Sequence, residues 1–197
     1  IRFKYKSCSS VILLCRRILR LSMILVVGVH GVGKTTLIEE IKTDSITAFF
    51  SISDLIRSTG KEIDPREKCI SNINDNQLLW KEKLKSYQFT DEDIIILDGH
   101  FNLIDDNEEI VTLDFNTFED IGIDKVILKR EKSEIIHQRL KERDGNTWDI
   151  NVILKLQELE EKQSTEFCNI NQIPMFIYQS RNQFLDLKKF IYYDLSN

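Results

Sequence analysis

Nine consecutive residues of this chain have the types and the spacing needed to bind phosphate. They run from Gly28 to Thr36 and fit G-x-x-x-x-G-K-[ST] at every fixed position. The glycines let the backbone N–H groups face phosphate oxygens, Lys34 brings positive charge to the outer phosphates, and the Thr35 hydroxyl can bind Mg²⁺. The pattern predicts a site for ATP and Mg²⁺ built by Gly28, His30, Gly31, Val32, Gly33, Lys34, Thr35 and Thr36.

The flanking sequence supplies the elements that such a loop needs. The apolar run Met23–Val27 predicts a strand leading straight into the loop, and Leu37, Ile38 and Ile41 share one face of a helix over residues 34–42. Phosphate would lie at the N-terminus of that helix. The loop does not identify the acceptor, because phosphoryl transfer, switching and mechanical ATP hydrolysis all start from it.

A second apolar run ends in a carboxylate. Asp98 follows Ile94–Leu97 directly and precedes Gly99 and His100. An aspartate at the carboxyl end of a strand beside the loop can accept a hydrogen bond from Mg²⁺-bound water or from Thr35. We therefore assign Thr35 and Asp98 to the metal, and Gly99 to close approach by an acceptor. The alternative is a solvated aspartate followed by a turn glycine.

Three arginines could bind phosphoryl groups. Arg139 and Arg143 are spaced i,i+4 on a predicted helix, so their guanidinium groups project from one face and could clamp a transferred phosphate. The alternative is a solvated helix face neutralised by neighbouring acids. Arg57 comes just after the second predicted strand, where the alternative is a short capped helix.

The histidines are weaker candidates for chemistry. His30 lies within the loop and His100 follows Asp98, so both could act as acids or bases. Transfer between phosphates needs no strong base, and we give both a structural or secondary role, with His100 on the acceptor side. His137, on the exterior of a predicted helix, is uninformative.

Length, charge and cysteine content limit the class of protein. A chain of 197 residues with 42% hydrophobic residues can bury one sizeable core. The net charge of −5 argues against non-specific nucleic-acid binding. Four scattered cysteines indicate reduced thiols in a cytoplasmic protein, and we find no apolar stretch of about 18 residues that could span a membrane.

The first 22 residues differ from the rest, since they contain six bases and no acid. Met23 stands where a strand leading into the loop would naturally begin a protein, so we expect translation to start there and residues 1–22 to be a non-native extension. The alternative is a targeting signal, but its apolar run is short and is interrupted by Arg16 and Arg17.

Strand and helix patterns alternate along the remainder. Strands are predicted over residues 24–29, 46–50, 94–97, 125–129 and 174–178, and helices over 34–42, 54–58, 75–87, 132–143, 150–168 and 183–193. Apolar strands alternating with helices predict one α/β domain over residues 23–197, with a five-stranded parallel sheet in a three-layer α/β/α core.

Two charged segments interrupt the alternation. They cover residues 51–88 and 144–166, and both look like inserts over the mouth of the sheet. The second is acidic with a narrow apolar stripe, so a plain amphipathic helix packed on the core fits it as well as a mobile lid.

Taken in order, these motifs resemble the nucleoside monophosphate kinases of the adenylate kinase type. The set is the loop, D-L-I-R at Asp54–Arg57, a strand followed by D-G-H, and R-L-x-x-R from Arg139 to Arg143. The pattern is most similar to archaeal adenylate kinase-like small ATP-binding proteins. The resemblance implies a monophosphate-binding insert, a short helical lid, Arg57 on the acceptor, Asp98 on the metal, and Arg139 and Arg143 at the base of the lid.

The chain departs from that family at two places. His100-Phe101-Asn102 replaces the family's Phe-Pro-Arg, and residues 144–180 contain no arginine, leaving Lys155 and Lys162 as the cations there. Transition-state charge would therefore rest on Lys34, Mg²⁺, Arg139 and Arg143.

Two hypotheses follow. The first is an Mg²⁺-dependent phosphotransferase that moves the γ-phosphoryl group of ATP to a nucleoside monophosphate bound at Arg57, Gly99 and His100, with Lys34, Arg139 and Arg143 as catalytic residues. The second is a degenerate kinase fold that binds or slowly hydrolyses ATP as a regulatory or interaction module. A nucleic-acid end as acceptor is disfavoured by the acidic balance.

Overall fold

Alternating strands and helices build the part of the chain that the structure, a computed structural model, describes: residues 22–42, 47–58, 73–87, 94–104, 109–144 and 148–192. The strands are β1 Ser22–Val27, β2 Thr47–Ser51, β3 Ile94–Asp98, β4 Asn102–Ile104, β5 Ile110–Thr112, β6 Lys125–Lys129 and β7 Met175–Tyr178. The helices are α1 Lys34–Lys42, α2 Ile52–Arg57, α3 Ile73–Ser86, α4 Ser133–Asp144, α5 Ile150–Asn171 and α6 Phe184–Tyr192. Short 3₁₀ turns cover Phe115–Phe118 and Arg181–Gln183.

Five of the strands form one parallel sheet in the order β2-β3-β1-β6-β7. The central strand β1 is buried on both faces, which explains its unbroken apolar sequence. Met23, Leu25 and Val27 point into one apolar cluster, whereas Ile24 and Val26 point into another on the opposite face. The strand order leaves β1, and the loop that follows it, between β3 and β6.

Helices cover both faces, giving the three layers that the sequence predicts. On one face, Trp80 and Leu84 of α3 and Phe167 of α5 pack with Phe101 and Phe118. On the other face, α1 and α6 supply the buried residues Leu37, Ile38, Ile41, Leu187 and Ile191. The predicted α/β fold with a five-stranded parallel sheet is confirmed.

The segment over residues 144–166 follows the packed-helix alternative from Ile150 onward. Asp149 caps α5 by accepting a hydrogen bond from the Asn151 amide at 2.7 Å, and the helix ends at Gln172, whose φ is 54°. Ile153 and Leu156 are buried, but Leu154 of the predicted stripe is 43% exposed. Residues 145–147 of the predicted lid segment lie outside the described residues.

The other predicted insert is only partly described. Helix α2 starts directly after β2, capped by the Ser51 hydroxyl, and α3 packs its Trp80 into the core. Residues 59–72 and 88–93 lie outside the described residues, so the monophosphate-binding insert remains a prediction. The sequence analysis did not predict the antiparallel hairpin of β4 and β5, which is separated from β3 by three residues.

Two further sequence predictions meet the structure only in part. In the described ranges no helix is both long enough and apolar enough to cross a membrane. Residues 1–21 lie outside those ranges, so the predicted start at Met23 stays a prediction. Among the cysteines, Cys168 is a free, buried thiol, and burial raises its pKa to about 11.

Candidate phosphate-binding site

Backbone conformation explains the glycines of the loop. Gly28, Gly31 and Gly33 have φ values of 145°, 78° and 95°, which side chains with a Cβ rarely adopt. At Gly28 space is also lacking, because a Cβ would lie 2.5 Å from the carbonyl oxygen of Lys129. The strand β1 therefore passes close to the end of β6 and turns sharply into α1, which begins at Lys34.

Lys34 is the centre of the site. It is only 7% exposed, and its Nζ donates to the Gly28 carbonyl oxygen at 2.6 Å. The same Nζ lies 3.1 Å from Nε2 of His100 and 3.4 Å from Oδ1 of Asp98. The lysine of the loop and the Asp98-Gly99-His100 segment after β3 are thus brought together, as the adjacent pairing of β1 and β3 requires.

The Asp98 carboxylate has an unsatisfied oxygen. Its Oδ1 is buried and has no assigned hydrogen-bond partner among the described residues, although it forms an ion pair with Lys34 at 3.4 Å. Such an orphan oxygen is costly unless another group binds there. Together with the exposed Thr35 hydroxyl at the start of α1, it fits the oxygen ligands that Mg²⁺ prefers. The described residues contain no cluster of three or more His, Cys, Asp or Glu that would hold a metal by itself.

Burial perturbs three ionisable groups around this point. Burial lowers the pKa of Lys34, against the opposing attraction of Asp98 and Glu160. Burial likewise raises the pKa of Asp98 and of Glu160, and the Lys34 ammonium opposes both shifts. One buried cation between two buried carboxylates therefore defines the electrostatics of the site.

Aromatic rings line the loop on one side. The rings of His30 and His100 lie 4.2 Å apart between centroids, and Trp148 meets His30 edge-on at 6.4 Å. Trp148 is in turn joined to α4, because Nδ1 of His137 lies 2.7 Å from its carbonyl oxygen. His137, which the sequence leaves uninformative, thus connects α4 to the chain just before α5.

The two arginines of α4 both act on the loop region, in different ways. Nη1 of Arg139 donates to the carbonyl oxygens of Gly31 and Val32 at 3.4 and 3.2 Å, and Nη2 forms an ion pair with Glu131 at 3.7 Å. Burial lowers the pKa of Lys34, and the positive charge of Arg143 adds a smaller lowering, so Arg143 acts on the lysine electrostatically. Their catalytic role remains a prediction.

A cleft of about 400 Å³ opens on the other side of the loop. Its walls come from the loop and α1, the Arg139 side of α4, and the chain after β7, including Thr36, Glu131, Tyr178, Ser180 and Arg181. The cleft is therefore continuous with the predicted phosphate-binding residues Val32, Gly33 and Thr36.

Of the predicted acceptor residues Arg57, Gly99 and His100, only His100 contacts Lys34 among the contacts described above. Arg57 forms an ion pair with Asp54 of the same helix, and its side chain is 52% exposed. Helix α2 nevertheless borders the site, since Ser51 is in register with Asp98 and the charge of Asp54 raises the pKa of Asp98. At Gly99 a Cβ would lie 2.9 Å from Cδ1 of Ile52, so core packing accounts for this glycine without an acceptor.

Sequence reasoning missed Glu160 and Glu131. Glu160 is fully buried near the middle of α5 and accepts hydrogen bonds from the amides of Phe101 and Asn102, both at 2.9 Å. In the sequence, Glu160 stands in an acidic helical stretch and is not distinguished from the solvated acids around it. One signal was available: Glu160 is four residues after Leu156, so it lies on the same face of the helix as the apolar stripe, which indicates burial.

Fold and site together define a P-loop NTPase with a kinase-like fold. The family described as AAA domain matches residues 27–153, and the chain belongs to that family. No curated protein matches the chain.

Three of the solved structures that match this chain are named as kinases. A shikimate kinase from Acinetobacter baumannii, in complex with shikimate, is 18% identical with a TM-score of 0.55, covering 92% of this chain and 97% of its own. A Janibacter sugar kinase is 13% identical with a TM-score of 0.50, covering 89% and 96%. A Sinorhizobium meliloti gluconokinase is 12% identical with a TM-score of 0.48, covering 91% and 99%. The likeness to the shikimate kinase supports the fold described above.

Proposed function

We propose that this protein is an Mg²⁺-dependent phosphotransferase that moves the γ-phosphoryl group of ATP to a small-molecule acceptor. The observation that carries the proposal is the buried Lys34 ammonium beside the orphan Oδ1 of Asp98 at the mouth of the phosphate loop. Phosphoryl transfer at a phosphate loop needs an aspartate at the end of the neighbouring strand to hold Mg²⁺ beside the lysine, and Asp98 is in that position.

ATP is the donor in this proposal. Its phosphates lie on the amides of Gly28–Thr36 at the N-terminus of α1, with Lys34 on the outer oxygens. The 400 Å³ cleft beyond Thr36 takes the base and ribose, against Tyr178, Ser180 and Arg181. Binding there orients the γ-phosphate toward Asp98 and His100.

Charge neutralisation is the main catalytic contribution. The γ-phosphoryl group passes in line from the leaving oxygen of ADP to an oxygen of the acceptor, with no covalent enzyme intermediate. Lys34, Arg139 and Arg143 stabilise the charge on the transferred group. Thr35 and Asp98 would hold Mg²⁺, which when bound neutralises phosphate charge.

The acceptor that we propose is a nucleoside monophosphate. The support is the resemblance of the D-L-I-R segment to the acceptor-binding arginine motif of adenylate kinase-type enzymes, and the placement of α2 beside Asp98. Arg57 would exchange its partner Asp54 for the acceptor phosphate, while Gly99 and His100 border the bound acceptor.

A second candidate is a degenerate kinase fold that binds ATP without an acceptor. It is favoured by the absence of arginine from residues 144–180. In addition, the buried charged residue on α5 is a carboxylate, Glu160, and not a cation. Such a protein would bind ATP and release phosphate slowly.

A substrate panel separates these candidates. The protein is incubated with Mg²⁺-ATP and each of the nucleoside monophosphates, and separately with shikimate and with gluconate, because kinases of this fold carry those names. Products are identified by mass. A nucleoside diphosphate formed from the added monophosphate supports the proposal. A phosphorylated hydroxy acid would reassign the acceptor, and free phosphate alone would support the module.

Lys34→Ala is the inactive variant with which every reaction in the panel is compared, and Lys42→Ala is its matched control. Removing a charge that contacts the transferred group should lower turnover by on the order of 100-fold or more. Lys42→Ala removes an exposed lysine from the last turn of the same helix and should leave turnover unchanged. Product formation that survives Lys34→Ala would show that another protein, or another site, is responsible.

A further inference from the structure

Glu160 is a buried acid whose partners all belong to one short segment. It is 0% exposed, and its oxygens accept three hydrogen bonds: Oε1 from the Phe101 amide, and Oε2 from the Asn102 amide and from Nδ2 of Asn102, each at 2.9 Å. Two of the three donors are backbone amides, so the contact fixes the path of the chain and not only a side chain. A buried carboxylate is tolerated when its oxygens are satisfied in this way.

The segment that Glu160 holds carries the residues that face Lys34. Phe101 and Asn102 directly follow His100, whose Nε2 lies 3.1 Å from Nζ of Lys34. Asp98 stands three residues before Phe101 and contacts the same Nζ at 3.4 Å. A shift of the Phe101 amide therefore moves the His100 ring relative to the phosphate loop.

The far side of this contact is also fixed. The Thr112 hydroxyl of β5 donates to Oδ1 of Asn102 at 2.7 Å, which leaves the Asn102 NH₂ group pointing at Glu160. Helix α5, the β4–β5 hairpin and the segment after β3 thus meet at one hydrogen-bonded junction. Glu160 also attracts the Lys34 ammonium electrostatically and opposes the lowering of its pKa by burial.

We propose that Glu160 is a positioning residue of the phosphate site: its carboxylate holds residues 99–102 so that the His100 ring stays against Lys34. This inference concerns the geometry beside Lys34, and only its kinetic consequence rests on the proposed function. Glu160 touches neither nucleotide nor acceptor in this role. It makes the position of α5 a determinant of the site.

Ring spectra of the histidines test the positioning directly. The chain has three histidines, so the ring signals of His30, His100 and His137 can be assigned by single substitutions. In Glu160→Gln an NH₂ group replaces one acceptor oxygen and faces donors, so we expect the His100 signals to move while those of His137 stay in place. Glu158→Gln removes an exposed charge from the same helix and should leave all three unchanged.

Kinetics supply the second measurement. A displacement of the site by about 1 Å can reduce turnover by up to about 100-fold, so we expect at least a tenfold loss of turnover in Glu160→Gln with the Kd for Mg²⁺-ATP changed less than about threefold. A merely structural role would instead lower the melting temperature and shift all three histidine rings together. Unchanged His100 signals in a folded Glu160→Gln protein would overturn the inference.

Thr112→Val keeps the test decisive if Glu160→Gln does not fold. It removes only the hydroxyl that orients Asn102, at an exposed position of β5. We expect a smaller shift of the His100 signals in the same direction, and no shift would overturn the positioning role. Absence of any phosphoryl transfer by the wild-type protein would refute the proposed function, whereas the ring spectra would still decide the role of Glu160.

Discussion

Nζ of Lys34 lies 3.4 Å from Oδ1 of Asp98, joining the first residue of α1 to the last residue of β3. The two residues are 64 positions apart in sequence, and the parallel pairing of β1 with β3 brings them together. Both side chains are largely buried, so each charge depends on the other. Removing one partner leaves an uncompensated charge at the mouth of the sheet.

This relationship gives Asp98 a distinct dependence of stability on pH. Burial raises the pKa of Asp98, so the folded protein keeps that proton at pH values where the unfolded chain has lost it. Stability is therefore lost as pH rises from the ordinary carboxyl range through the raised pKa of the folded state. Asn at this position is neutral throughout, so the stability of Asp98→Asn relative to wild type should increase as pH rises above the ordinary carboxyl range.

Urea denaturation without Mg²⁺ or nucleotide measures that difference. The free energy of unfolding is determined for both proteins at each pH, and titrating groups that are distant from Asp98 contribute similarly to both. Asp186→Asn, at an exposed position in the first turn of α6, is the control for the loss of a carboxylate that is not buried. A difference between Asp98→Asn and wild type that does not change with pH would contradict the assignment.

Arg139 should matter for turnover because it contacts the loop backbone and the cleft at once. Arg139→Ala removes the bonds to the Gly31 and Val32 carbonyl oxygens, and we expect turnover to fall by about 10- to 100-fold. Arg139→Lys should not restore it, because an ammonium cannot reproduce the planar fork. Steady-state rates with saturating Mg²⁺-ATP give the measurement.

Lys141 supplies the matched control for Arg139. It is an exposed base two residues further along α4, so Lys141→Ala makes the same change in net charge. Equal rates for Arg139→Ala and Lys141→Ala would show that the contact with the loop has no catalytic consequence.

The sequence predicted the fold and the position of the phosphate loop within it because their signals are local. The phosphate loop needs contiguous glycines and a lysine, and the strand that ends at Asp98 is a continuous aliphatic run. The position of Asp98 next to Lys34 followed from the expected neighbouring strands, and the structure places the two side chains in contact.

Glu160 and the β4–β5 hairpin could not be predicted in the same way. Glu160 is distinguished from the acids around it only by amides that lie 58 and 59 residues away in sequence. The hairpin strands have three residues each, too short for period-two alternation to be recognised. Both features depend on tertiary contacts for which the sequence gives no periodic signal.

Arg57 provides a test of the acceptor that leaves the donor untouched. Its guanidinium is paired with Asp54 at the half-exposed end of α2, outside the residues that contact Lys34. Arg57→Ala should raise the KM for the nucleoside monophosphate at least about tenfold, because a charge-assisted bidentate contact is lost, and should leave the Kd of ATP within about twofold.

Lys83→Ala is the control for Arg57, since it removes an exposed base from the neighbouring helix α3. The KM for the monophosphate should not change in that variant. A KM that is unaffected by Arg57→Ala would remove the main support for a phosphate-bearing acceptor and would favour an acceptor without a phosphate group.

The glycines that directly follow the adjacent strands β1 and β3, Gly28 and Gly99, should respond differently to a methyl group. In Gly28→Ala the new Cβ would lie 2.5 Å from the Lys129 carbonyl oxygen, a clash that cannot relax without moving β6. The backbone φ of 145° at this position is also strained for alanine. We expect a loss of stability on the order of 2 kcal/mol or more, with loss of ATP binding.

In Gly99→Ala the Cβ meets Cδ1 of Ile52 at 2.9 Å, and that side-chain tip can move, so a loss of about 1 kcal/mol is expected. Urea midpoints and ATP titrations on both variants make the comparison. Equal losses would mean that the turn at Gly28 is not held against β6 as described.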